Sequence, residues 1–323
     1  MMKRLNIVQV ISNFPNAKKL PPTNQGGTEK VVHELTENLV RRGHRVTVFA
    51  TRGSRTSAKL IPFPKGLRDQ GIARYVLNKM PRNVDVIHDH TFRSTLGRIN
   101  LHIPTVCTLH LPVKQWVKHP VYVSKRARMV MGKNRGHYVY NGLNPSEYEF
   151  SNKKRNFMLF MGRIMREKGV LHAIEIAERT NKKLIIAGPI KNQTFYRNEI
   201  VPRIRRNPNI HFVGPVGGKN KQKLLKYASC LLFPTLWEEP FGLVMIEAMA
   251  CGTPVIALKR GAVPEVMAGF PQLICRSVSE MVAKVKEGNY PHPAVLRRYV
   301  IRRFTTSQMT TKYLQIYQKV MKK

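Results

Sequence analysis

Acidic residues are what this chain has least of among its charges: 18 Asp+Glu stand against 56 Lys+Arg, a formal net charge of +38. Its aspartates are Asp69, Asp85 and Asp89, and the lack of a D-x-D pair favours chemistry run without a metal ion. Long apolar runs are missing too, and nothing approaches the ~20 residues of a membrane-crossing helix. Cysteine is scarce, with Cys107, Cys230, Cys251 and Cys275 scattered and no C-x-x-C pair. That spacing excludes a zinc site and a dense disulfide framework and points to a reducing compartment, with cytoplasmic as the default. The basic, then apolar, start MMKRLNIVQVISNFP imitates a leader peptide. Asn6, Gln9, Ser12 and Asn13 interrupt it and no small-residue cleavage site follows, so a first buried strand is expected instead.

What is present is enough for real cores: 323 residues, 42% hydrophobic, suit two domains of ordinary size. The positive excess is spread over both, +17 up to residue 150 and +21 beyond it, so it is not a detachable tail. Between His90 and Ser146 there is no acid at all, and seven of the Lys/Arg there fall in 114–135, beside Trp116, Val117, Tyr122 and Val123. Such a surface attracts phosphates, acidic lipid head groups or nucleic acid. It reads equally well as a solubility trait, and no nucleic-acid recognition motif accompanies it.

Residues 5–11 read as a buried strand, followed by Asn24-Gln25-Gly26-Gly27-Thr28-Glu29 and a helical pattern through Val31, Val32, Leu35 and Leu39. Residues 45–50 give a second strand. Strand, glycine turn, helix, strand is the unit of a doubly wound parallel sheet. Further strands are expected at 84–90, ending His88-Asp89-His90, at 104–111, with His110 at its end, and at 121–124. His88 and His90 face one side of their strand and Asp89 the other, which argues against a shared metal ion. The polar stretch 144–156 is expected to be a linker, after which 157–161 opens a second strand–helix series with Gly162-Arg163 and Lys168-Gly169. The run Gly214-Pro215-Val216-Gly217-Gly218-Lys219-Asn220 fails as a nucleotide-hydrolase phosphate loop. Its glycines are one residue too close, and Asn220 stands where Ser or Thr is needed. A helix over 221–229 is expected after it, and a terminal helix over 299–323.

The densest passage is 233–267, FPTLWEEPFGLVMIEAMACGTPVIALKRGAVPEVM. A helix that opens just after Gly242 presents unpaired amides and a partial positive charge, an anion site suited to phosphate. Glu239 precedes that helix and Glu247 lies inside it. This E-x7-E spacing, the EPFGLVMIEAMACGTPVIA run and the later Gly261 and Glu265 resemble the signature of retaining glycosyltransferases of family 4, which have the GT-B architecture.

The resemblance implies two Rossmann-like doubly wound α/β domains facing across a cleft: 1–145 on the acceptor side, 146–300 binding the nucleotide sugar, and 301–323 as a helix crossing back to the first. It gives Arg163 and Lys168, with Gly162, the grip on the donor diphosphate, helped by the amides of Phe241, Gly242, Leu243 and Val244. Glu247 is implied to hold ribose hydroxyls and Glu239 to orient the transferred sugar. Gly26 and Gly27, with Thr28, are implied beside the donor phosphates, His110 at the transferred sugar, and His88 and His90 in the wall of the site.

The expected activity is retaining, metal-independent sugar transfer from a nucleotide-diphosphate sugar, UDP preferred over GDP, with no cofactor. The acceptor stays open among envelope, lipid-linked and small molecules. The basic span suggests a peripheral site on an anionic membrane, at its inner face. A sugar-nucleotide epimerase of the same architecture and a basic nucleic-acid-binding protein remain the alternatives.

Overall fold

Runs of Val, Ile and Leu too short for helices become two parallel sheets, whose central strands are buried on both faces and so carry no polar alternation. The computed structural model describes residues 3–14, 17–24, 26–111 and 116–322. The chain divides into two units, Met1–Asn144 with Phe304–Lys323, and Pro145–Arg303.

The first unit has seven strands: β1 (Asn6–Val10), β2 (Arg45–Ala50), β3 (Lys59–Pro62), β4 (Val86–Asp89), β5 (Thr105–Leu109), β6 (His119–Tyr122) and β7 (His137–Tyr138). All pair in parallel in the order β3-β2-β1-β4-β5-β6-β7. The order reverses between β1 and β4, so the segments after these two strands diverge at a switch point. Helix Gly27–Arg41 buries Val31, Val32, Leu35 and Leu39, the stripe its sequence period predicts. Helix Thr306–Met321 packs on it, with Arg42 reaching the Ser307 carbonyl at 2.7 Å and Thr306 bonding the Glu34 carboxylate at 2.8 Å.

The expected single helix over 299–323 is in fact two, Pro293–Arg303 and Thr306–Met321. Thr305 breaks the run by pairing with Leu143 as a parallel bridge and by capping the second helix, its hydroxyl accepting from the Gln308 amide at 3.2 Å. β3 and helix Asp69–Lys79 are elements that the pattern of the sequence does not predict.

The second unit has six strands: β8 (Met158–Met161), β9 (Leu184–Ala187), β10 (Ile210–Phe212), β11 (Cys230–Phe233), β12 (Val255–Leu258) and β13 (Ile274–Cys275). They run in parallel in the order β10-β9-β8-β11-β12-β13, with the switch between β8 and β11. A core of Ile164, Val170, Ile174, Ile186, Leu232 and Ile256 fills one face of the sheet. Each such fully buried aliphatic side chain contributes ~1.5–3 kcal/mol before entropy is counted. The helix after Gly217 spans Gly218–Tyr227, earlier than the expected 221–229. No helix among the described residues is long and apolar enough to cross a membrane.

Candidate active site

The switch point of the second sheet brings together two loops that are distant in sequence. One follows β8 and carries Gly162, Arg163 and Lys168; the other follows β11 and carries Glu239. The carbonyl of Glu167 ties them, accepting from the amides of Leu236 at 2.9 Å and Trp237 at 3.1 Å and from the Thr235 hydroxyl at 3.3 Å. The side chains meet as well, for the Lys168 ammonium is ion-paired with the Glu239 carboxylate, each 15% exposed. Arg163, by contrast, is exposed and has no ion pair or hydrogen bond among the described residues. Gly261 fixes the backbone of Glu239 from below: a Cβ at Gly261 would stand 2.3 Å from the Glu239 nitrogen, and φ there is +51°. The next residue, Ala262, donates its amide to the Glu239 carbonyl at 2.9 Å.

Helix Leu243–Ala250 starts from Gly242 in the left-handed region, φ 83°, with no side chain capping it. The amides of Leu243 and Val244 therefore have no acceptor within the helix, whereas that of Met245 reaches the Gly242 carbonyl at 3.0 Å. Its other end is held by cations. Lys154 donates to the Cys251 carbonyl at 3.1 Å, the Lys226 carbonyl at 2.9 Å and the Thr253 hydroxyl at 2.9 Å, and Arg297 donates to the Ala250 carbonyl at 2.6 Å. Positive charge at the C-terminal end complements the helix dipole. Burial pushes the Lys154 amine down to about 8.

Glu247 projects from this helix and is 4% exposed. Its carboxylate accepts from the Tyr148 hydroxyl at 2.9 Å and from the Lys221 ammonium at 2.7 Å. Neither partner was legible in the sequence. Tyr148 lies in the stretch read as a polar linker, yet it is buried, and Arg297 holds its carbonyl at 3.0 Å. Lys221 directly follows the run 214–220 that fails as a phosphate loop, at the start of the helix expected over 221–229. A single signal pointed toward them: an acidic residue inside an otherwise apolar helix requires a donor.

In the first unit Gly26 and Gly27 open helix Gly27–Arg41, as expected. The Glu29 carboxylate, 7% exposed, lies against Gly26, with Oε2 2.8 Å from where a Cβ would stand. Burial raises its pKa, while a bond from its own backbone N–H opposes that rise. A carboxylate thus occupies the first turn where the resemblance implied donor phosphates.

His88 and His90, expected in the wall of a site, are instead core residues at 0% exposure. Their rings lie on one side of β4, with centroids 3.8 Å apart. Asp89 turns the other way and accepts from the amides of Thr91, Leu96 and Gly97 at 2.8, 2.8 and 3.1 Å. His90 Nδ1 meets His110 Nε2 at 3.3 Å. Burial drives the His88 and His90 imidazoles well below the ordinary range and His110 down to about 4, so all three are neutral at pH 7.

Of the residues in the basic span, Val117, Tyr122 and Val123 are core side chains at 5, 5 and 2% exposure, not companions of surface cations. Trp116 is 78% exposed. On helix Lys125–Gly132, Arg126, Met129 and Val130 are exposed at i, i+3, i+4 spacing, with Lys133 following at the cap. Lys114 lies outside the described residues.

Two family profiles divide the chain between them. "Glycosyltransferase Family 4" matches residues 25–146, and "Glycosyl transferases group 1" matches 146–283. An uncharacterized glycosyltransferase of Methanocaldococcus jannaschii is 34% identical over 40% of this chain and 37% of its own length. The alpha-maltose-1-phosphate synthase of Mycolicibacterium smegmatis is 23% identical over 94% of this chain and 98% of its own length. The chain spans under half of some other curated relatives, 48% in the Mycobacterium tuberculosis synthase. Among solved structures, AviGT4, a glycosyltransferase involved in avilamycin A biosynthesis, superposes with a TM-score of 0.81 at 23% identity, covering 98% of each chain. Anabaena HepE, solved with UDP and glucose, gives 0.77 at 16% identity, covering 98% of this chain and 100% of its own. These likenesses place the fold in the GT-B class of paired Rossmann-like units.

Proposed function

The chain belongs to the group 1 glycosyltransferases of family 4, and from that premise we propose that it transfers a sugar from a nucleotide-diphosphate sugar, with retention, to an envelope, lipid-linked or small-molecule acceptor. The observation that carries this reading is the coupling at the β8/β11 switch point. A helix with open amides at Gly242–Val244 stands beside the paired Lys168 and Glu239 and the loop bearing Arg163. That set supplies positive charge and amide donors for a diphosphate and a carboxylate for sugar hydroxyls.

In the proposed reaction the C1–oxygen bond to the diphosphate breaks as the acceptor oxygen bonds to C1 on the same face. The acceptor proton passes to the departing phosphate oxygen. Arg163, Lys168 and the amides of Phe241, Gly242, Leu243 and Val244 take up the charge that grows on the diphosphate. They meet that charge with no metal ion or cofactor in the scheme. Glu239 orients hydroxyls of the transferred sugar, Glu247 holds ribose hydroxyls, and His110 donates a hydrogen bond to the sugar. UDP-sugar is the preferred donor, in keeping with the UDP complex of the HepE fold relative.

We further propose that Trp116 and the exposed face of helix Lys125–Gly132 rest on an anionic membrane, which places the protein on the cytoplasmic side next to a lipid-linked acceptor. Apolar and cationic side chains exposed together fit that surface.

The deciding experiment is a thermal-shift and hydrolysis screen across nucleotide sugars. A cognate donor at about 100 times its Kd adds ~2.7 kcal/mol of stability, a shift of several degrees, and is slowly hydrolysed. No shift and no hydrolysis with any nucleotide sugar would overturn the reading.

A further inference from the structure

The loops that follow β1, β2 and β3 enclose a cavity of about 350 Å³, wholly within the first unit. Asn13 and Phe14 line it from the first loop, Arg52 from the second, and Phe63, Lys65 and Arg68 from the third. It lies at the C-terminal ends of parallel strands, where open α/β sheets hold their ligands. Its volume is at the lower end of the ~300–1,000 Å³ of small-molecule sites, room for a sugar-sized group.

The three loops are tied to one another. Leu67 donates its amide to the Pro64 carbonyl at 3.2 Å, closing a turn in which Gly66 has φ +83°. That angle is what the third position of a type II turn requires, and Lys65 stands at the tip. Asn13 joins the loops through its side chain. The amide nitrogen donates to the Leu67 carbonyl at 2.5 Å, and the oxygen accepts from the Thr51 hydroxyl at 3.3 Å.

Charge selects the ligand. Arg52, Lys65 and Arg68 are exposed, and none of these side chains has an ion pair or hydrogen bond among the described residues. Unpaired cations are common where 56 Lys+Arg face 18 Asp+Glu. What singles these out is that they line one concave site whose acid is already engaged. Asp69 is the one acid in 11–14, 51–56 and 63–70. One of its oxygens accepts from the Ser12 hydroxyl at 3.2 Å and the other from the Asn13 backbone amide at 3.0 Å. The cavity therefore offers two guanidinium groups and an ammonium beside the aromatic rings of Phe14 and Phe63. A phosphate on a sugar ring answers both features. Its oxygens meet the cations, and the C–H face of the ring lies on the phenyl groups.

We propose that this cavity holds the phosphate of a phosphorylated acceptor. That the bound molecule is the acceptor rests on the function proposed above, whereas the anion site itself does not. β5, which leads to His110, lies two strands from β1, ~10 Å across the sheet. The phosphate is thus a handle: it orients the acceptor from a distance and takes no part in the bond change. A soluble sugar phosphate and a phosphorylated lipid head group carry the same handle.

The test is calorimetric titration of the full chain with a hexose phosphate, a short-chain phosphatidylinositol, inorganic phosphate and the unphosphorylated hexose. One of the two esters is expected to bind, the hexose phosphate marking a soluble acceptor and the phosphatidylinositol a lipid one. The bare hexose is expected not to bind. Arg52→Ala, Lys65→Ala and Arg68→Ala should each weaken ester binding about tenfold, as loss of a hydrogen bond to a charged group does. All three are surface changes that leave the fold intact. Lys59→Ala removes an exposed cation that opens β3 at the opposite edge of the sheet, and should leave binding unchanged, as should saturating UDP. Neither ester binding, inorganic phosphate binding as tightly as the ester, displacement by UDP, an equal loss in Lys59→Ala, or unchanged affinity in the three variants would overturn the proposal. If an ester binds here but no nucleotide sugar serves as donor, the transfer function fails and the anion site stands. A donor found without ester binding keeps the transfer function and removes the site.

Discussion

Lys221 is bound to Glu247 at 2.7 Å, a cation from the helix after Gly217 on a carboxylate of the helix after Gly242. The carboxylate is 5% exposed and the ammonium 24%. Removing the cation is therefore worse than removing the acid, since the uncompensated charge left behind is the deeper one. Lys221→Met is expected to destabilise by ~3 kcal/mol, readable as a fall in Tm of about 6–12 °C. Glu247→Ala should cost less stability, because water reaches Lys221, but should weaken nucleotide binding sharply in calorimetry. Equal nucleotide affinity in wild type and Glu247→Ala would remove Glu247 from the donor site.

Arg163 is exposed and has no ion pair among the described residues, whereas Lys168 is already paired. Arg163→Ala should leave the folding free energy within about 0.5 kcal/mol of wild type, as surface changes do. Turnover should fall by about 10²-fold or more with a milder loss of donor binding, as for a group that meets charge developing in the transition state. Steady-state kinetics with the donor found by the screen separate the two parameters.

Gly261 supports Glu239 through backbone contact alone. Gly261→Ala must move one of the two, at a cost of at least ~1–2 kcal/mol from the left-handed φ plus the clash. Because Glu239 is assigned to the sugar, affinity for the nucleotide sugar should fall more than affinity for the free nucleoside diphosphate. A parallel loss of both would place Gly261 in general folding only.

The buried histidines give stability a defined acid limb. His110 titrates at about 4 in the folded chain and at ~6.5 when unfolded. Between those values the unfolded state binds more protons, so stability falls as pH drops through the window; His88 and His90 act in the same direction. Asp89 and Glu29, both raised by burial, act in the opposite direction. Urea unfolding between pH 5 and 6 should show a slope about 1 kcal/mol per pH unit shallower in His110→Gln than in wild type.

Membrane association is tested with vesicles containing phosphatidylserine at low salt. The wild type should co-sediment and be released by high salt. Arg126→Ala and Lys133→Ala should each weaken partition about fivefold, corresponding to ~1 kcal/mol per cation, and Trp116→Ser should weaken it at any salt. Wild-type protein that stays in the supernatant at low salt rules the surface out.

The architecture was legible because its strands are short apolar runs that nothing else explains, and because the Glu239–Glu247 passage is long and specific. What escaped was contact between distant segments. Tyr148 looked like linker because neighbouring polar residues hide its burial, and Lys221 was one lysine among many. In sequence His88 and His90 look like wall residues, because polar residues at a strand end usually face a site. Here the phenols of Tyr313 and Tyr317, more than two hundred positions later, seal them into the core. The break at Thr305 was hidden for a similar reason, since its bridge partner is Leu143.

The Glu167 carbonyl sets a rule for anyone redesigning the donor preference. Three donors from residues 235–237 converge on that oxygen, so the segments after β8 and β11 behave as a single cassette. Grafting residues 234–247 from a relative with another donor, while keeping the native 162–169, would misalign the carbonyl and detach Glu239 from Lys168. A productive exchange has to carry both segments together.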